Sequence, residues 1–341
     1  MDVVQLTRAL VDIESITGNE GAVGEALYSL LSPLASRFGG RVERMEVEPG
    51  RFNVYASWGD PEVTLSTHMD TVPPFLPSRE DEENIWGRGA CDAKGIIASM
   101  TCAAEAALEQ GRRNIALLFL VGEERNSAGA YHAAQCGRGS RFVINGEPTE
   151  NKLALGSKGS LRYELDAHGR MAHSAYPELG ESAIEKLLDA LEAVRKIELP
   201  KDSVLGQSTM NIGVISGGRA PNVIPDFAQA QLLIRLVDDG ASTRESIQRA
   251  AGDKADAREV LFIPALHLGS LPGLETTVVS FTTDIPALGG AWGQPFLIGP
   301  GTIHVAHTER EHIAKRDLHE AVRIYQSMIE QLGRNEQHAA N

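Results

Sequence analysis

Ile115-Ala116-Leu117-Leu118-Phe119-Leu120-Val121-Gly122-Glu123-Glu124 is a run of seven apolar residues that ends abruptly in a glycine and two acids. A strand buried on both faces reads as a continuous apolar stretch rather than an alternating one. The run is also far short of the ~20 residues that a membrane span needs. It therefore predicts a central strand of an α/β sheet with two carboxylates at its end. Working outward, Val63–Thr67 reads as a second strand, followed at once by His68-Met69-Asp70, and Phe142–Ile144 as a third, followed by Glu147. Between them, 95–108 is rich in alanine and apolar residues and predicts a buried helix, with another helix near 128–136. Upstream, helical spacing covers 3–12 and 22–37 on either side of the turn Ser15–Glu20, and Val42–Val47 and Asn53–Ser57 read as strands. This rhythm predicts an α/β fold: an open mixed sheet flanked by helices on both faces.

The rhythm alters near Gly156. Strand Leu161–Ala167, helix Ser182–Lys196, strands Thr209–Ile215 and Phe227–Val237, helix Ser242–Gly252 and strand Glu259–Ile263 follow in turn. This βαββαβ order predicts a small ferredoxin-like α+β sandwich with one face open. After Pro264 the chain is expected to rejoin the first sheet and to finish with the helix Lys315–Leu332 and a frayed tail, Asn335–Asn341. The expected domains are thus 1–156 and 265–341 as one discontinuous body, with 157–264 inserted into it.

The 341 residues suit two domains, and 42% apolar with 23% charged residues is the composition of a globular protein. A formal charge of −14 argues against nucleic acid or an anionic membrane as partner. The opening residues, with Asp2 and no apolar core after it, are not expected to form a secretory signal. Three cysteines without paired spacing (Cys91, Cys102, Cys136) predict reduced thiols and a cytoplasmic location.

Loops at the ends of parallel strands aim side chains into one crevice. His68, Asp70, Glu123, Glu124 and Glu147 all follow predicted strands, and Asp92 precedes a helix in the turn Gly87-Arg88-Gly89-Ala90-Cys91-Asp92. Histidine nitrogen and carboxylate oxygen suit a cation such as Zn²⁺. Two cations ~3.5–4 Å apart need one carboxylate that serves both, and Asp92 is the best candidate. Asp70, two residues past His68, is placed to accept the other ring N–H and fix the tautomer. Of the neighbours Glu123 and Glu124, one can bind metal while the other acts as general base on water whose pKa the ions lower toward ~7. Taken singly, each segment has a bland reading as a turn, a cap or a solvated face. Their joint order is what points to a two-metal hydrolase.

These segments, together with Gly146-Glu147-Pro148-Thr149 and Ala306-His307-Thr308, resemble the dinuclear metallopeptidases that include acetylornithine deacetylase, succinyl-diaminopimelate desuccinylase, aminoacylase and glutamate carboxypeptidase. The resemblance runs from Ser15 to Glu311. It implies a zinc-exopeptidase-like catalytic domain from 1–156 and 265–341, and a lid or dimerisation domain at 157–264 that would make a homodimer. It implies that His68, Asp92 and Glu147 hold one metal and that Asp92, Glu124 and His307 hold the second. Glu123 would be the general base and Asp70 the orienter of His68. The run from Gly299-Pro300-Gly301 to His307 looks like the family's closing motif. It favours His307 over His304 and His312, with Gly299 and Gly301 lining the substrate. Gly169–Ser174 resembles the segment whose histidine, here His173, reaches the partner subunit's site and steadies an oxyanion. Gly217–Pro225, with Asn222, and the later Arg235 resemble the parts that hold a substrate carboxylate. The chain departs from the family in the short stretch between Pro264 and Asp284, and in Ala93 after Asp92.

The expected function is a metal-dependent amidohydrolase that removes an acetyl or succinyl group from the nitrogen of an amino acid. Two divalent ions are expected, Zn²⁺ first with Co²⁺ or Mn²⁺ as substitutes. A dipeptidase or carboxypeptidase of the same chemistry acting on a short peptide is the alternative. A non-catalytic metal-dependent binding protein on this fold would be expected to lack Glu123 or a ligand, and none is missing. A nucleotide-binding protein would carry Gly-x-Gly-x-x-Gly after its first strand, which this chain does not.

Overall fold

A computed structural model describes residues 1–136 and 138–333. The expected tail at 335–341 lies outside the described residues. The chain divides into two compact units. The first comprises Met1–Leu155, Leu268–Thr277 and the described chain from Thr283; the second comprises Gly156–His267 and Val278–Thr282.

In the first unit, six strands form one sheet in the order Arg41–Glu48, Arg51–Trp58, Ile115–Leu120, Val63–His68, Phe142–Asn145, Gln294–Leu297. The first three pair antiparallel, and the remaining contacts are parallel, so the sheet is mixed as expected. Ile115–Leu120 is buried along its whole length because both faces are covered. Leu117 and Phe119 point into a core shared with the helices Val3–Val11, Gly21–Phe38, Lys94–Glu109 and Lys315–Gly333. Ala116, Leu118 and Leu120 point the other way, onto Ala130 and Ala133 of the helix Ala128–Gln135 and onto Leu288 and Trp292. The period-2 side-chain alternation of a strand thus splits one apolar run between two cores. The first helix starts where Asp2 accepts from the backbone N–H of Val4 at 2.9 Å.

The second unit carries a four-stranded antiparallel sheet in the order Thr209–Gly217, Phe227–Leu236, Gly159–His168, Asp256–Ile263. The helices Ala183–Arg195 and Ala241–Ala251 share its core. Leu232, Ile234 and Leu236 are buried beneath them while the residues between are half-exposed, giving the one open face expected of this topology. Ser182 caps the first of these helices, accepting from Glu185 N–H at 3.2 Å.

Periodicity gives no sign of the edge strand Gln294–Leu297. It is four residues long and contains Pro295, and proline in a sheet is confined to edges and ends. No described helix is long and apolar enough to cross a membrane.

Candidate metal centre

The parallel strands Val63–His68 and Ile115–Leu120 stand side by side, with His68 opposite Leu120. Their register brings the residues after each to one edge. Nε2 of His68 lies 3.0 Å from Oδ1 of Asp92. Nε2 of His307 lies 3.0 Å from Glu124 and 3.3 Å from Oδ2 of Asp92. Asp92 therefore offers one oxygen to each histidine. One ligand atom each from His68, Asp92 and Glu124 falls within a 4.8 Å span. Glu147, 4% exposed, leaves its Oε1 buried without a hydrogen-bond partner. By contrast, the ring of His312 stacks on Trp86 at 4.3 Å and its Nδ1 faces the carbonyl of Arg310, so it faces other partners.

Asp70 does more than sit beside His68. Nδ1 of His68 is 3.1 Å from the carbonyl oxygen of Asp70 and 3.4 Å from its Oδ1. The Asp70 carboxylate accepts from the backbone N–H of both Glu123 (3.1 Å) and Glu124 (3.2 Å), and from the hydroxyl of Thr17 (2.8 Å). One buried acid thus fixes the histidine ring and the backbone of the Glu-Glu pair together.

The electrostatics show what this donor set lacks. Burial pushes Glu123 well above the usual carboxylate range; Asp284, Asp92 and Glu124 push the same way while His68 opposes them. Burial likewise raises Glu147, with Glu123, Asp92 and Asp284 adding to the shift. Burial disfavours charge on His68, yet its hydrogen bonds to Asp70 and Asp92 prevail and lift it well above its ordinary value. His307 rises to about 10, chiefly through its hydrogen bonds to Asp92 and Glu124. The upward shifts of these histidines and acids mark a cavity crowded with negative charge. Buried like charges demand compensation, and divalent cations among nitrogen and oxygen donors supply it. The residues fit such ions, with an orphaned Glu147 oxygen and the two-sided Asp92 as the clearest marks.

Gly299 and Gly301 pack at the back of this cluster. A Cβ on Gly299 would meet the carbonyl oxygen of Glu147 at 2.5 Å, and one on Gly301 would meet Sγ of Cys91 at 2.5 Å; Gly301 also has φ +80°. Only glycine allows the closing loop to approach so near.

His173, Asn222 and Arg235 belong to the second unit. His173 pairs in register with Val223, and Ser174 N–H donates to the carbonyl of Asn222 at 3.0 Å, so His173 and Asn222 share one corner. His173 is exposed, its Nδ1 accepting from Ala175 N–H at 3.1 Å. Arg235 is half-buried, and burial alone holds its pKa below the ordinary arginine value.

Four residues beyond the expected set belong to the first unit's cluster: Thr17, Arg88, Asp284 and Glu311. Asp284 is 1% exposed with both carboxylate oxygens lacking a hydrogen bond, and burial raises it to about 7. Local sequence assigns these residues no role: Thr17, Arg88 and Glu311 act through partners distant along the chain, and Asp284 stands out only by its burial.

Comparison with known proteins decides the lineage. Residues 155–259 match the family model described as a peptidase dimerisation domain. A peptidase M20 domain-containing protein of Schizosaccharomyces pombe is 36% identical over 338 residues, spanning 96% of this chain and 84% of that protein. The chain belongs to the M20 peptidase family. This M20 peptidase is also 37% identical over 375 residues to a probable carboxypeptidase of Aspergillus fumigatus, covering 95% of this chain and 85% of that one. The crystal structure of aminopeptidase PepT from Bacillus cereus superimposes with a TM-score of 0.80 at 18% identity, over 98% of each chain. M20 peptidases are dinuclear metal enzymes that hydrolyse amide bonds.

Proposed function

We propose that this M20 peptidase hydrolyses the amide bond of an N-acyl amino acid, releasing an acetyl or succinyl group from an amino acid with a free α-carboxylate. The observation that carries the reading is the approach of His68 and His307 to the two oxygens of Asp92, with Glu124 against His307. His68, Asp92 and Glu147 would hold one ion, and Asp92, Glu124 and His307 the other, with zinc the first choice and cobalt or manganese as substitutes. When bound, the ions polarise the scissile carbonyl and lower the pKa of the attacking water.

Glu123 is then the general base. It takes a proton from water and returns it to the leaving nitrogen. Asp70 holds the backbone of Glu123 in place through its N–H. His173 donates to the developing oxyanion, in the partner subunit's site if the dimerisation domain pairs two chains. The half-buried Arg235 receives the α-carboxylate; Asn222 stands with His173 at the other end of the strand Phe227–Leu236 and would serve with it in the partner subunit's site, and the glycines at 299 and 301 border the substrate. The three cysteines are unpaired, which supports the reducing setting of a cytoplasmic enzyme.

A carboxypeptidase reading, with a dipeptidase as its short-peptide form, rests on a separate observation, the name probable carboxypeptidase carried by the Aspergillus relatives. The two readings share a scissile bond, since the C-terminal end of any peptide is an amide of an amino acid with a free carboxylate. They differ in what lies on the acyl side. Hydrolysis of N-acetyl and N-succinyl amino acids, measured beside unblocked dipeptides with zinc and cobalt, separates them. Turnover at least about tenfold higher, in kcat/KM, on the N-acyl series supports deacylation; the reverse ranking replaces it with peptidase action.

A further inference from the structure

Glu311 is 1% exposed, and its carboxylate is surrounded by hydrogen-bond donors from a segment 219 residues away. Its Oε1 accepts from three backbone N–H groups of one loop: Gly89 at 2.8 Å, Cys91 at 3.3 Å and Asp92 at 3.1 Å. Its Oε2 takes the guanidinium of Arg88 at 2.5 Å. Arg88, 2% exposed, also donates to the carbonyls of Thr308 at 3.2 Å and Pro74 at 3.3 Å. Gly87 N–H closes the ring on the carbonyl of Glu311 at 3.0 Å. The positive φ of Gly87 (+143°) and Gly89 (+86°) lets the loop curl its amides inward.

We propose that Glu311, locked to Arg88, is the positioning residue of the metal centre, holding the Asp92 loop and the His307 loop in one fixed geometry. The proposal rests on the reading of Asp92 and His307 as ligands given above. The physical reason is the connectivity. Glu311 lies four residues after His307, and it grips the amide of Asp92 itself. Arg88, on the Asp92 side, grips Thr308, the residue after His307. The two loops are therefore clasped from both directions, next to the ligands rather than at their far ends. His307 needs this support, because it sits at φ +64°, a conformation a non-glycine residue keeps only when its surroundings enforce it. A carboxylate so near Asp92 is unfavourable on charge alone. Its role is to receive amides, and Arg88 offsets the charge. Partners one step behind the ligands commonly set metal affinity by about 10- to 100-fold.

The test uses the full-length protein stripped of metal and titrated with Co²⁺ by calorimetry and visible absorption, with turnover measured after reloading. Glu311→Gln keeps the shape but replaces one acceptor oxygen by a donor. It is expected to weaken at least one of two bound equivalents by about tenfold or more and to alter the cobalt spectrum. It should also lower kcat by about tenfold or more while KM stays within about twofold. Arg88→Lys, which keeps the charge but loses the planar guanidinium whose Nη1 reaches Glu311 and Thr308 while its Nε holds Pro74, should shift the same readings in the same direction. It carries the test alone if Glu311→Gln does not fold. Wild-type affinities, spectrum and kcat in a variant whose only change is a lower Tm would overturn the proposal and leave Glu311 a packing residue. A wild-type chain that takes up no cobalt overturns the metal-centre reading itself, and this proposal with it.

Discussion

The two units bury charge in opposite ways. In the first, acids converge at the ends of parallel strands and stay buried: Glu147 keeps an oxygen without a hydrogen-bond partner, and Asp284 both. In the second, acids line the open face of an antiparallel sheet, where each finds a donor. Asp166 takes Gln229 at 2.8 Å, and Glu164 takes Arg258 and Gln231. Unsatisfied buried carboxylates are costly, so the first arrangement persists only where something beyond the chain is to be bound. The second arrangement is ordinary surface chemistry. The contrast separates the unit that carries the candidate metal centre from the unit whose acids are satisfied at its surface.

The largest effect should come from removing the base. Glu123→Gln is expected to lower kcat by roughly 10²–10⁴-fold while two equivalents of metal remain bound. Elemental analysis beside turnover checks it, and retained turnover would remove Glu123 from that role. Next, Leu232→Ala should cost about 2–5 kcal/mol in denaturant unfolding, because Leu232 is 1% exposed in the second unit's core. If that loss also strips metal from the first unit, the two do not divide the work as described.

A smaller effect, opposite in sign, should come from Asp284→Asn in metal-free protein. The carboxyl of Asp284 titrates near 3.8 unfolded and at about 7 folded, so the wild type loses stability as pH rises through that window. Asparagine does not titrate. The variant should be the more stable by about 1–3 kcal/mol at pH 8, a lead that vanishes near pH 4 in thermal melts. A lead that persists at pH 4 would mean the gain is not from the lost charge. The smallest effect belongs to the second unit's open face. Arg258 is 63% exposed in its pair with Glu164, and Arg258→Ala should change stability by less than about 1 kcal/mol.

Much of the fold is legible because its strands advertise themselves. Ile115–Leu120 is continuous and apolar since both faces are covered, and Phe227–Leu236 alternates since one is not. The short edge strand Gln294–Leu297 leaves no periodic trace. At the candidate metal centre, the places of His68, Glu123, Glu124 and Glu147 are legible because they follow strands, where a parallel sheet gathers its loops. Arg88 stands inside a segment notable in sequence only for Asp92. Glu311 reads as one more polar residue near the C-terminal helix. Their importance lies in a contact across more than two hundred residues, and no local pattern encodes that. Asp70 is an intermediate case. Its place beside His68 is visible, but its hold on the amides of Glu123 and Glu124 and on Thr17 is not.

The reach of that last set of bonds has a consequence for folding. Thr17 and Glu311 come from separate stretches of the first unit, yet Thr17 bonds the Asp70 carboxylate and Glu311 the Asp92 amide, and both Asp70 and Asp92 contact the His68 ring. Folding must therefore bring both stretches together before the geometry around His68, Asp92 and His307 exists.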